Sequence, residues 1–87
     1  VPDAAVAAAV SLGAPGNHDA VAPLARLLAS DDERLRFAAI RGLGRIGGAE
    51  AVETLQEAAA FHPDAATRRR AGAEAAVMGG RVGSRVN

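Results

Sequence analysis

The sequence predicts an all-α protein, a short α-solenoid of antiparallel helix pairs. Three observations predict it. A period of 31–32 residues runs through most of the 87-residue chain. Within each period, apolar residues recur at helical spacing along two segments. Small residues dominate, with 23 Ala and 10 Gly, so the core must be thin and its backbones must approach closely. Repetition at such a period marks arrays in which each unit buries its apolar face against its neighbours.

The period is read by overlay. Asp19–Leu28 lies over Glu50–Ala59 at an offset of 31, matching Val21 to Val52 and Leu24 to Leu55. Asp32–Gly47 lies over Asp64–Gly79 at an offset of 32, matching Arg36 to Arg68, Ala39 to Ala71 and Gly47 to Gly79. Near the start, Ala8, Leu12, Gly13 and Gly16 fall on Ala39, Leu43, Gly44 and Gly47. The organisation is therefore a half repeat over 3–16, a repeat over 17–47, a repeat over 48–79 and a flexible tail over 80–87.

The half repeat carries one helix, Asp3–Leu12, equivalent to the second helix of later units. Its missing first helix and the absent initiator Met lead to the expectation of a piece of a longer solenoid. The next helix is predicted over His18–Ala29, with Asn17 as N-cap, Pro23 near the first turn, and Val21, Leu24, Leu27 and Leu28 facing inward. Its partner is predicted over Asp32–Ile46. Asp32 caps it, Leu35, Ala39, Leu43 and Ile46 are its buried stripe, and Gly47-Gly48 ends it. Gly42 and Gly44 inside this helix each cost about 1 kcal/mol relative to Ala, which predicts a close helix–helix approach at both. The last pair is predicted over Ala49–Phe61 and Asp64–Met78, separated by Pro63 and capped by Asp64. Residues 79–87 show no helical pattern.

Composition excludes several classes. Ten Arg balance ten acids and Lys is absent, whereas nucleic-acid binders carry a basic excess. There is no Cys, hence no disulfide, thiol nucleophile or Cys-based zinc site. His18 and His62 lie far apart, and a metal site needs three or four converging ligands. Ser11, Ser30, Ser84, Thr54 and Thr67 have no His–acid partner in sequence context. The run Gly42-Leu43-Gly44-Arg45-Ile46-Gly47 fits a dinucleotide-binding letter pattern, but it follows no strand and ends a helix. The longest apolar run, Ala4–Val10, is far short of the ~20 residues of a membrane span. No cofactor, metal or membrane partner is expected, and a cytoplasmic placement is the working expectation.

The middle unit reads Asp31-Asp32-Glu33-Arg34-Leu35-Arg36-Phe37-Ala38-Ala39, then Gly42-Leu43-Gly44-Arg45-Ile46-Gly47, then Glu50-Ala51-Val52. It resembles HEAT-like repeats of the armadillo type, in particular the short class named after the phycobilisome lyases. That signature is an acidic turn, V-R-x-x-A, A-L-G-x-I-G, and an acidic-Ala-Val start to the next helix. The third unit keeps Asp64, Arg68, Ala71 and Met78-Gly79 but has Ala75-Ala76 for Leu-Gly. The half repeat keeps Leu12-Gly13 and has Ala5 where the Arg belongs. The resemblance covers residues 3–79. It implies first helices on a convex side and second helices on a concave one, and a protein-interaction role. Bilin lyases and HEAT-like alkylpurine DNA glycosylases are the rarer alternatives.

The resemblance assigns Arg36 and Arg68 to a structural ladder that bonds acids or carbonyls in the inter-helix turns, such as Asp32 and Asp64. Ser30 and His62 stand at the turn position that is usually acidic. Arg34, Phe37, Arg41 and Arg45 recur at spacings of three and four, and so form one stripe that faces the concave groove in the repeat arrangement. Val6 and Val10 flank it on one side, Arg69 and Ala73 on the other. An exposed Phe ringed by Arg has the composition of a protein-binding hot spot. Arg34, Phe37, Arg41, Arg45 and Arg69 are therefore the candidate partner-binding residues, for an acidic or amphipathic segment. Arg68-Arg69-Arg70 point ~100° apart on a helix and form no single patch. Glu50, Glu53 and Glu57 line an outer face. The expected function is a non-catalytic scaffold module; a phosphate or nucleic-acid groove and a bilin lyase part are the alternatives. End-to-end self-association through the apolar face of the half repeat is a further expectation.

Overall fold

A computed structural model describes residues 2–83, with side chains described over 4–79. Five α-helices follow one another: α1 Pro2–Leu12, α2 Val21–Leu27, α3 Glu33–Ile46, α4 Gly48–Phe61 and α5 Ala65–Gly83. A 3₁₀ turn, His18–Ala20, leads into α2. No strand occurs among the described residues. Helices α1, α3 and α5 pack side by side in one layer; α2 and α4 form the other. The shortest dimension, 16 Å, is that of two helix layers packed about 8–10 Å apart.

The core lies between the layers. Leu24 of α2, Ile40 and Leu43 of α3 and Leu55 of α4 are its large, fully buried side chains, and Ala9, Ala39, Ala51 and Ala71 fill the gaps between helices. Ile40, absent from the predicted stripe of α3, is fully buried, whereas Leu35 is only half-buried. Leu35 sits in the first turn, at the edge of the layer.

The termini follow from named residues. Asp32 caps α3 by accepting from the Arg34 amide at 3.0 Å. Asp64 caps α5 by accepting from the Thr67 amide at 2.8 Å. Gly47 and Gly48 both have positive φ, 76° and 86°, which lets α4 begin one residue after α3 ends. Asn17 is not a side-chain N-cap. Its Nδ2 instead donates back to the Leu12 carbonyl at 3.0 Å, satisfying an orphan acceptor at the end of α1. The helix predicted from His18 to Ala29 is a 3₁₀ turn followed by a seven-residue α-helix. Pro23 falls in the first turn of α2, where a missing N–H costs nothing. At the other end, α5 runs on to Gly83. The helix therefore does not stop at Gly79 as the Gly-Gly pair suggested: Gly79 does not take the positive φ of Gly47. Residues 84–87 of the expected tail lie outside the described residues.

Gly42 and Gly44 differ in their reasons. A Cβ on Gly13 would overlap Gly42 Cα, and a Cβ on Gly42 would meet Leu24 Cδ1 at 3.0 Å and Ala9 O at 3.4 Å. Gly13 and Gly42 thus mark the backbone crossing of α1 over α3. The atoms nearest to a Cβ on Gly44 belong to the side chain of Glu74. The close backbone approach expected at both positions holds at Gly42 and not at Gly44.

Candidate functional site

The second-helix layer carries the candidate residues. Arg34, Arg41 and Arg45 of α3 and Arg69 of α5 are exposed on it. Phe37 is not the exposed anchor that the stripe suggested. It is half-buried, packed against the core, and covered by the Arg70 guanidinium, 4.6 Å from the ring centroid. Such a cation–π contact contributes about 0.5–1 kcal/mol at an accessible site. Arg34 has its own attachment to Asp32, with Nε 3.9 Å from Oδ1.

The Arg triplet divides as its helical directions require. Arg68 turns back to its own turn and donates through Nη1 to the His62 carbonyl at 2.7 Å and the Pro63 carbonyl at 3.2 Å. Arg69 faces solvent. Arg70 crosses to Phe37. Sequence reasoning missed Arg70, because the overlay pairs Phe37 with Arg69 and the actual contact lies one residue further on.

Beneath this face, α3 is tied to α5 by a polar network. Arg36 donates through Nη1 to the Ser30 carbonyl at 2.8 Å and through Nε to Thr67 Oγ1 at 2.9 Å. Its Nη2 lies 3.6 Å from Asp64 Oδ2. The Thr67 hydroxyl donates in turn to Asp64 Oδ2 at 2.7 Å. Thr67 is the one buried polar residue among those described, at 0% exposure, and its hydroxyl both donates and accepts. These bonds hold the Asp64 carboxyl below its ordinary value of 3.8. The Thr67 hydroxyl and then the Thr67 amide are the main causes, with the Arg36 charge adding to them.

The Asp32 carboxylate does not bond the Arg36 guanidinium; it caps its own helix, while the Asp32 carbonyl accepts from the Arg36 amide. Arg36 instead reaches forward to the turn of the next unit. The two turn positions without an acid are also occupied productively. Ser30 Oγ accepts from the Asp32 amide at 3.0 Å. His62 Nδ1 accepts from the Asp64 amide at 3.0 Å, so Nε2 carries the proton and donates to the Leu28 carbonyl at 2.6 Å. His62 thereby joins the α4–α5 turn to the end of α2. His18 packs on Gly48, whose added Cβ would meet His18 Cε1 at 3.0 Å.

Among the described residues, no group of three or more His, Asp or Glu could hold a metal ion, and no helix is long and apolar enough to cross a membrane.

A sequence model of HEAT repeats matches residues 2–77. The chain belongs to the HEAT repeat family. The match is to HEAT repeats in general, and the lyase-type subclass is a finer assignment that it does not make. No curated protein matches the chain, and no solved structure does. HEAT repeats are in general protein-interaction or scaffold modules and typically non-catalytic.

Proposed function

We propose that the chain is a non-catalytic interaction module that holds an acidic or amphipathic partner segment against its second-helix layer. The observation that carries this reading is the set of exposed cations on α3 and α5. Arg41, Arg45 and Arg69 are exposed, and no carboxylate among the described residues forms an ion pair with them. Arg34 adds to the charged surround and Phe37 supplies an apolar patch under Arg70. The Arg36–Thr67–Asp64 network fixes α3 against α5, so the two Arg-bearing helices present their charges at a set spacing. Preorganised charge favours encounter rate and specificity.

The test is binding of a labelled acidic amphipathic peptide to the wild type and to Arg41→Ala/Arg45→Ala, with circular dichroism confirming helicity of both. A loss of tenfold or more in the variant, with steep salt dependence in the wild type, is expected. Equal binding by both refutes the reading. Tighter binding of a single-stranded oligonucleotide than of the peptide would replace the acidic segment by a phosphate backbone. Phe37→Ala is a poorer probe, because a half-buried ring packed on the core also supports the fold. End-to-end association belongs to the same proposal: of the apolar face of α1, Ala4 and Ala8 are exposed, while Val6 is half-buried against the core. Sedimentation that stays monomeric up to high micromolar concentration would remove it.

A further inference from the structure

The opposite layer carries a cleft that the reading above does not use. Helices α2 and α4 diverge around a cavity of about 460 Å³, within the ~300–1,000 Å³ range of concave binding sites. Small residues leave the space: Ala25 and Ala29 from the end of α2, and Ala58 from α4. Phe61 stands at its edge, 79% exposed, the most exposed of the large hydrophobic residues described. Nothing in the fold uses that ring. Placing a Phe in water forgoes about 1.5–3 kcal/mol of burial.

The rim is acidic. Glu57 lines the cleft, and Glu53 and Glu50 continue the same face of α4 at helical spacing. All three are exposed, and none has an ion pair among the described residues. The other polar groups at the cleft are already engaged. The Thr54 hydroxyl donates to the Glu50 carbonyl at 2.9 Å. Both His62 nitrogens are bonded, to Leu28 O and to the Asp64 amide. What remains for a ligand is apolar wall and unneutralised carboxylate.

We infer that this cleft docks a basic amphipathic helix from a partner protein. One apolar side chain enters against Phe61, Ala58 and Ala25, and Lys or Arg residues one turn away meet Glu57 and Glu53. This is the helix-in-groove mode, with anchors at i and i+3 or i+4. Charge complementarity chooses the occupant. A second copy of this chain carries ten Arg against ten acids and so brings no net positive charge to this wall, although Arg41, Arg45, Val10 and Val77 are exposed on it. The inference stands apart from the second-helix face and does not depend on it.

The probe is a fluorescein-labelled Lys/Leu peptide of amphipathic helical pattern. A scrambled peptide of equal composition and a Glu/Leu counterpart serve as controls. Anisotropy is read against wild type, Phe61→Ala, Glu53→Gln/Glu57→Gln and Arg41→Ala/Arg45→Ala. The substituted side chains are all exposed, so folding is retained, and circular dichroism checks it. The patterned Lys/Leu peptide should bind wild type at least tenfold more tightly than either control. Phe61→Ala should lose tenfold or more, the Gln pair should lose both affinity and salt dependence, and the Arg pair should bind as wild type. Equal binding of patterned and scrambled peptides, or no loss in Phe61→Ala, overturns the inference. So does concentration-dependent dimerisation abolished by Phe61→Ala, which would make a second copy the occupant.

Discussion

Replacing Thr67 by Val tests whether the contact between α3 and α5 is held by chemistry or only by packing. The two side chains have nearly the same shape, so the change removes the hydroxyl and leaves the volume. Two bonds disappear: the 2.7 Å bond to Asp64 and the 2.9 Å bond from Arg36. Each involves an ionised partner, a class of bond that contributes about 1.5–3 kcal/mol. The losses do not add fully. Asp64 keeps its bond from the Thr67 amide at 2.8 Å and lies at the surface, where water replaces the hydroxyl. Arg36 Nε has no such recourse, because the side chain is only 11% exposed, and an unsatisfied buried donor costs about 1–3 kcal/mol. The gained methyl returns about 0.8 kcal/mol of burial. The net expectation is a loss of about 2 kcal/mol. A domain of this size has a total stability of about 4–13 kcal/mol, and such a loss lowers its Tm by roughly 8–16 °C. Urea titrations of wild type, Thr67→Val and Thr67→Ser, followed by circular dichroism, measure it. Ser keeps the hydroxyl and loses one buried methyl, at about 1 kcal/mol. A Thr67→Val variant within 0.5 kcal/mol of wild type, or a Ser variant no better than Val, would refute the reasoning.

The same network predicts a pH effect. The Asp64 carboxyl is depressed in the folded state, so its contribution is present above its unfolded value near 3.8 and is lost as pH falls through the lower folded value. The stability gap between wild type and Thr67→Val should therefore narrow below pH 4 in acid titrations of urea midpoints; a constant gap would show that the hydroxyl does not act through Asp64. Gly13→Ala forces a Cβ onto the Gly42 backbone and should cost about 1–3 kcal/mol, as overpacking does. Gly44→Ala meets first the movable Glu74 side chain and should be neutral or stabilise by up to about 1 kcal/mol through helix propensity. Thermal melts of the two variants should thus shift in different directions, and equal destabilisation would remove the distinction. His62→Ala deprives the Leu28 carbonyl and the Asp64 amide of their partner, and should cost about 1–2 kcal/mol in the same melts.

The period was legible in the overlay, and the ends of α3 and α4 in caps and Gly terminators, which are local chemistry; the layer order came from the family resemblance. Asp32 and Asp64 follow from such rules, as does the Gly47-Gly48 turn. Thr67 was not legible as the centre of a network. Its counterpart in the middle unit is Leu35, so the overlay that revealed the repeat placed Thr67 at an apolar position. Its partner Arg36 lies 31 residues away, and nothing in the local sequence announces a bond across units. Phe37 shows the converse error. Spacing put it on the Arg stripe, but spacing counts residues on one helix and cannot see Arg70 arriving from another. The cleft at Phe61 was invisible for a similar reason: Ala25, Ala29 and Ala58 read as close packing, and only the divergence of α2 from α4 turns them into space.

The two contacts within the second-helix layer are consequently held by different physics. An Arg at the position of Ala5 would have reached forward to the turn at Asp32, as Arg36 reaches to the turn at Asp64. Ala5 cannot do so, and the Asp32 carboxylate caps α3 and pairs with Arg34 of its own helix. The junction of α1 with α3 relies instead on the approach of Gly13 to Gly42, where dispersion over a short backbone contact substitutes for charge. Acid and salt act on the first kind of contact, whereas added volume acts on the second. Loosening α3 from α5 would change the separation of Arg41 and Arg45 from Arg69, because those cations ride on the two helices that Arg36, Thr67 and Asp64 join. A substitution of Thr67 by Val, which touches no exposed residue of the proposed face, should therefore weaken acidic-peptide binding, while Thr67→Ser, which keeps the hydroxyl, binds as the wild type. That contrast separates a role in positioning the face from a general loss of stability, since both variants are destabilised and only Val breaks the network.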